Sequence, residues 1–319
     1  MSDYNVLNGL KVKFLSADPP STENGQVWYN STLEKTRVAG VLGAGAWAIG
    51  GVVGTARTTT SAGTQTANVI FAGQLSNSPY ANQALVEEYN GSSWSEVTNY
   101  PGAVGNLGGT GTQTAALGFG GYPNVTSTYE YDGSSWTSVG SLSTGRELLA
   151  GIGIQTAAFG AGGYIRSPDS FTTAVESYNG SSWTSAPSLN TGKYGRAGVG
   201  TTSAGLVGGG NPSSNATEEY NGSSWTTVNA RPYSGGSAMS SGTQTAGLNY
   251  GGNPASAVKT TVKYDGTNWS AEPNMTTSRS MGGGSPAGTT AAALATTGTS
   301  ITQTEEFTQP VGTGNIASS

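Results

Sequence analysis

The side chains with the most evident chemistry are carboxylates that recur: Glu87-Glu88, Glu130, Glu176, Glu218-Glu219 and Glu305-Glu306. Two carboxylates facing each other across a sugar can cleave a glycosidic bond, one as acid and the other as nucleophile or base. Each of these glutamates, however, stands one or two residues before a tyrosine or phenylalanine, and so fills the same place in a repeat. A repeat keeps equivalent positions apart, and a charge on an outer strand is a common device against edge-to-edge pairing. The chain also lacks His and Cys, which removes the commonest general base, the commonest metal ligand, and every thiolate and disulfide. The Asn/Asp-Gly turns do not gather the several oxygens that calcium requires. No catalytic residue, cofactor or metal is expected, and the chain reads as a non-enzyme.

Residues that vary between repeats are of another kind. Tyr80, Tyr122, Arg166, Asp169, Phe171 and Asn211 lie in links inside the repeats, while Tyr100, Tyr194, Arg196, Arg231 and Tyr233 lie in links between them. Tyr, Asn and Arg suit binding surfaces because they offer amphipathic contact at modest entropic cost. Tyr80, Tyr100, Tyr122, Arg166, Phe171, Tyr194, Arg196, Arg231 and Tyr233 are therefore the candidate binding residues, with a plain solvated loop as the alternative for each taken singly.

The elements that position them are set by one phrase. Tyr131-Asp132-Gly133-Ser134-Ser135-Trp136 has near-copies at Tyr89 to Trp94, Tyr178 to Trp183, Tyr220 to Trp225 and Tyr264 to Trp269. The tryptophans at 94, 136, 183, 225 and 269 are 42, 47, 42 and 44 residues apart, a period that signals a repeat architecture. A second phrase, GTQTA and its variants, begins at Gly63, Gly111, Gly153, Gly200, Gly242 and Gly288, six copies against five complete Tyr-to-Trp phrases. The sixth phrase is split: Phe307 stands 43 residues after Tyr264, and the orphan Trp47 lies near the start. The two ends thus complete one repeat between them, which an open stack of repeats would have no reason to do.

Each repeat reads as four short strands, in the second unit Ala103 to Gly108, Thr114 to Phe119, Ser127 to Tyr131 and Ser135 to Val139. Asp-Gly or Asn-Gly between the last two predicts a two-residue type I′ turn. Tyr131 and Trp136 would then be diagonal neighbours on one face, covered by the next unit. Six such units arranged radially are an all-β, six-bladed β-propeller over residues 37–307. Its last blade is closed by an N-terminal strand, Val38 to Trp47, and 308–319 form a tail. The two kinds of variable link share one face of this ring, and the repeated turns share the other.

Composition agrees with one folded β unit. Glycine numbers 51 and charged residues make up 10%, while regular Tyr, Trp and apolar positions argue against disorder. Net charge is −5 with 13 scattered basic residues, no footprint for nucleic acid. No apolar run approaches a membrane span, and the Met1 region has none of the parts of a secretory signal. Residues 1–36 differ in character, with Val6, Leu7, Leu10, Val12 and Phe14 alternating before Pro19-Pro20, then a predicted strand, turn and strand through Gly25–Thr32 and Lys35–Val38. Val27, Trp28 and Tyr29 are the candidate assembly residues, since so short a segment cannot bury a core of its own.

The repeat resembles the kelch repeat, in its double glycine, Tyr, Trp and following basic residue: Gly120-Gly121, Tyr131, Trp136 and Arg146, or Gly162-Gly163, Tyr178, Trp183 and Lys193. Ala72-Gly73 and a short Tyr-to-Trp spacing depart from it. The copper chemistry of the kelch-like galactose oxidase needs His and Cys, which this chain lacks. Asp132-Gly133 also misses the residue that sialidase Asp boxes place between Asp and Gly. The passage Gly25–Val38, with GQVWYNST, looks like the head segment of structural proteins of tailed bacteriophages, particularly marine cyanophages. That resemblance implies a virion-surface protein of the tail-fibre or appendage type, oligomeric in the particle. Residues 1–36 would join other virion proteins, and the ring would contact a host glycan or another virion component. A decoration subunit with no host ligand and a glycan-active enzyme are the alternatives.

Overall fold

The computed structural model describes residues 4–7, 10–17, 27–41, 45–75, 81–253 and 256–315. All its regular elements are strands. They fall into two compact units, Ala46–Phe307 and a second made of Met1–Gly45 with Thr308–Ser319. The division lies at 45/46 rather than 36/37, and the expected C-terminal tail carries a strand.

The larger unit is a six-bladed β-propeller. Blade 1 comprises Thr58–Gly63, Asn68–Gln74, Val86–Tyr89 and Trp94–Glu96. Blade 2 follows with Gly108–Thr112, Ala115–Phe119, Thr128–Tyr131 and Trp136–Val139, antiparallel in sequence order. Blades 3, 4 and 5 repeat it from Ala150, Ala197 and Met239. Blade 6 joins Ala292–Ala295 and Gln303–Thr308 to Ala46–Val52, so an N-terminal strand closes the ring. That strand starts at 46, not 38, because Lys35–Val41 pairs instead with Val311–Asn315 in the other unit.

Two local expectations change. The first strand of blade 2 is Gly108–Thr112, not 103–108, because Asn106 takes a left-handed φ of 54° that breaks extension before it. The hairpin loop has four residues: Tyr131 pairs directly with Trp136, not with Ser134. Asp132 Oδ1 accepts the N–H groups of Ser134 and Ser135 at 2.8 and 2.7 Å, and Asn90, Asn179, Asn221 and Asp265 do the same in their blades. This side-chain cap organises a longer loop in which only the glycine has positive φ. The Tyr and Trp still share a face, now as a directly opposed pair with ring centroids 4.8 Å apart.

Each such tryptophan packs on the preceding blade, Trp136 on Phe71 at 5.0 Å, Trp183 on Phe119 at 4.9 Å and Trp47 on Tyr250 at 5.1 Å. Four indole N–H groups donate to a threonine there: Trp94 to Thr304, Trp183 to Thr128, Trp269 to Thr217 and Trp47 to Thr261, at 2.9 to 3.1 Å. Where blades 1 and 3 carry Val86 and Val175 at that position, the indole nitrogens of Trp136 and Trp225 have no hydrogen-bond partner among the described residues. The glutamine of GTQT forms a second rivet, Gln113, Gln155 and Gln244 each donating to two carbonyls of the blade before. Around the axis, backbone N–H groups of Leu148, Gly195, Ser237, Met281 and Thr59 donate in succession to the carbonyls of Asn106, Leu148, Gly195, Ser237 and Met281. The ring is therefore held by polar links at every junction as well as by aromatic packing.

In the smaller unit Tyr4–Leu7, Leu10–Leu15, Val27–Asn30, Lys35–Val41 and Val311–Asn315 form one sheet in that order. The predicted strand-turn-strand is present, its turn capped by Asn30 Oδ1, which accepts from Thr32 N and Leu33 N at 3.1 Å each. Trp28 is fully buried, with Val27 and Tyr29 half-buried. Alternation puts Trp28 on the covered side of its strand, so it is not the free contact for a partner chain that the sequence led us to expect.

Candidate binding surface

The recurring glutamates are structural. Arg57, Arg146, Arg196 and Arg279 lie 2.6, 2.9, 2.7 and 2.6 Å from Glu87, Glu176, Glu218 and Glu305, and every one of these side chains is 5% exposed or less. The second carboxylate oxygen accepts a backbone N–H, from Gly54, Ser143, Asn190 and Thr276 respectively. Burial raises the Glu305 pKa, but the N–H and hydroxyl of Thr276 and the Arg279 guanidinium together bring it below the usual glutamate value. The neighbouring glutamates take a different partner. Tyr131, Tyr178 and Tyr264 donate their hydroxyls to Glu88, Glu130 and Glu219 of the preceding blade at 3.0, 2.9 and 2.8 Å, and Tyr89 donates to Glu306. These are latches inside the ring, so the expected role as outward charges against edge pairing is corrected.

Three candidate binding residues share that interior. Arg196 is 5% exposed and held by Glu218 and the Gly209 carbonyl. Arg231 is 1% exposed, donating to the Gly235 carbonyl and Asn249. Tyr100 is 3% exposed and packs edge-on to Tyr129 and Trp136. Tyr233 lies beneath Arg231, its hydroxyl donating to the Gly251 carbonyl. Polar type and loop position did not reveal burial here, because these side chains fold back from the links, Arg196, Arg231 and Tyr233 to backbone carbonyls and Tyr100 onto neighbouring rings. Tyr80 lies outside the described residues.

Tyr122, Arg166, Phe171 and Tyr194 do come together, joined by Tyr164 and Asp169. A two-residue strand pair, Tyr164-Ile165 against Ser170-Phe171, lifts this loop of blade 3. The rings of Tyr164, Phe171 and Tyr194 are mutually 5.3 to 5.9 Å apart. Arg166 stacks over Tyr122 at 4.3 Å and lies 5.7 Å from the Tyr164 ring. Its Nε is 2.6 Å from Glu147 Oε1, an ion-pair distance without hydrogen-bond alignment, and Glu147 is fully buried while the Arg166 side chain is 48% exposed. Asp169 Oδ1 accepts the Tyr164 hydroxyl at 2.6 Å, which raises the Tyr164 pKa. Tyr164 was the residue missed from the sequence; its position directly after Gly162-Gly163, matching that of Tyr122 after Gly120-Gly121, was the available signal. Asn211 stands beside the group, exchanging backbone hydrogen bonds with Tyr194.

A second concavity lies on the propeller axis, a cavity of about 130 Å³ lined by the entries of the first strands, among them Thr59, Asn106, Leu148, Ser237 and Met281. Those are also the residues of the backbone girdle, so most of their polar groups are spent on the ring itself.

In comparison with known proteins, no family model and no curated sequence matches this chain. Among solved structures, that of YjhT is similar, with a TM-score of 0.64 at 13% identity, over 83% of this chain and 99% of that one. At that identity the likeness concerns the fold, a six-bladed propeller, and no more.

Proposed function

We propose that this chain is a non-enzymatic virion structural protein of a tailed phage, whose propeller is displayed on the particle and contacts a host surface glycan or another virion component. The repeat is read as kelch-like, from its double glycine, Tyr and Trp. The smaller unit, which contains the Gly25–Val38 phrase, serves assembly, and the exposed loops of the ring serve contact.

The observation that carries the contact role is the aromatic and arginine group of Tyr122, Tyr164, Arg166, Phe171 and Tyr194. A ring stabilised by its own latches does not need Phe171 at the surface, where 44% of it is exposed to water. The recurring acids are committed to arginines and tyrosines, which favours binding without turnover. Antibodies raised against the ring test the virion assignment. They are expected to decorate intact purified particles, and absence of the chain from particles by peptide mass analysis overturns the reading.

A further inference from the structure

We propose that the surface formed by Tyr122, Tyr164, Arg166, Asp169, Phe171 and Tyr194 binds an acidic polysaccharide, with uronate carboxylates as its recognised charge. This rests on the contact role proposed above and gives it a ligand class.

The Arg166 guanidinium is fixed from two sides. Its plane stacks on Tyr122 at 4.3 Å, and its Nε edge faces the buried Glu147 at 2.6 Å. Glu147 is itself held by Asn106 Nδ2 at 2.8 Å. Among the described residues the Nη edge has no hydrogen-bond partner, on a side chain that is 48% exposed. A stacked guanidinium with an open fork of donors fits a planar carboxylate in two parallel hydrogen bonds, and its entropy of ordering is already spent.

Beside it, Tyr164, Phe171 and Tyr194 make a platform with adjoining rings 5.3 to 5.9 Å apart. The C–H face of a pyranose carries partial positive charge, and an aromatic face is negative, so sugar rings stack there without needing a deep pocket. Asp169 uses Oδ1 for the Tyr164 hydroxyl, leaving Oδ2 to accept from sugar hydroxyls. A protein partner would be expected to want a larger apolar core than these rings provide. A neutral glycan would leave the Nη fork without an anion.

The test is calorimetric titration of the full chain with hexasaccharides of galacturonate, mannuronate and glucuronate, each beside its neutral methyl ester. We expect at least one acid to bind, its ester to bind about tenfold more weakly or not at all, and affinity for the acid to fall with added salt. Arg166→Gln is expected to remove the preference for acid over ester, and Phe171→Ala to weaken both, in proteins whose melting temperatures match the parent. Binding of none of the three acids, or equal binding of acid and ester, overturns the ligand class. So does an unchanged preference in Arg166→Gln. A folded Phe171→Ala protein that retains parental affinity also overturns the platform. The same variants in particles separate this from the contact role: loss of adsorption by Phe171→Ala without any uronate binding sinks the ligand class alone. Uronate binding with unchanged adsorption sinks the contact role alone.

Discussion

At the residue scale, the tryptophans form a graded series that stability measurements can read. Trp136 packs on Phe71 and Tyr100, so Trp136→Ala should cost about 3 kcal/mol, the lower part of the range for large aromatics because the ring is half-buried. Trp183→Phe should cost about 1 kcal/mol more than Trp136→Phe in urea unfolding, since only Trp183 loses a hydrogen bond, the one to Thr128. Burial of Tyr89 and its bond to Glu306 raise its pKa to about 12, and Tyr131, Tyr178 and Tyr264 are raised by burial and by Glu88, Glu130 and Glu219. The folded state thus prefers the protonated phenols. Their contribution is complete below the unfolded tyrosine pKa near 10 and is lost as pH rises through the folded values, so stability should fall from about pH 10 upward. Glu305 has the opposite sign, its contribution present above the unfolded glutamate pKa and lost as pH falls below it. Glu305→Gln should flatten that acid limb of a melting-temperature profile while leaving the alkaline limb unchanged.

At the element scale, the order of the four strands in blades 1 to 5 was legible because the GTQT and Tyr-to-Trp phrases mark two turns in each; that blade 6 has three strands among the described residues, and that blade 3 adds the pair Tyr164-Ile165 and Ser170-Phe171, was not. The register was not legible, and the reason is local chemistry. Asn-Gly alone predicts a two-residue turn, but the following Ser-Ser lets the Asn or Asp side chain cap a four-residue loop. The arginines misled for a related reason: a basic residue in a link reads as exposed, whereas Arg196 and Arg231 turn inward to partners on other strands. The double glycine has a conformational cause that could be inferred only in part. Gly120 and Gly121 take φ of 65° and 112°, and at blade 1 Ala72 adopts 55° before Gly73 at 108°. An L residue tolerates the first of these values and not the second. An added Cβ would sit 2.7 Å from a backbone carbonyl oxygen at either position, Arg146 for Gly120 and Gly105 for Gly121, so the φ values decide, and Gly120→Ala should cost less than Gly121→Ala. Thermal melts in which the two variants cost the same would contradict this.

At the scale of the whole molecule, closure is visible in the sequence from the split repeat, which puts Trp47 and Phe307 in one blade; their rings lie 5.3 Å apart. Deleting 1–45 should leave a closed ring, because the closing strand begins at Ala46, whereas deleting 1–52 removes that strand and should lower the melting temperature sharply. Equal melting of the two truncations would refute closure by this strand. The binding surface was half legible: aromatic loop residues were named, but which of them converge depends on how neighbouring blades set their loops side by side. In the proposed function these converging residues make contact, while the rest of the chain builds the ring and serves assembly. The most direct measurement is the adsorption rate of phage particles whose chain carries Phe171→Ala and Tyr194→Ala together, both outside the latches of the ring. Normal incorporation and an adsorption rate reduced several-fold are expected; normal incorporation with an unchanged rate would refute the contact role.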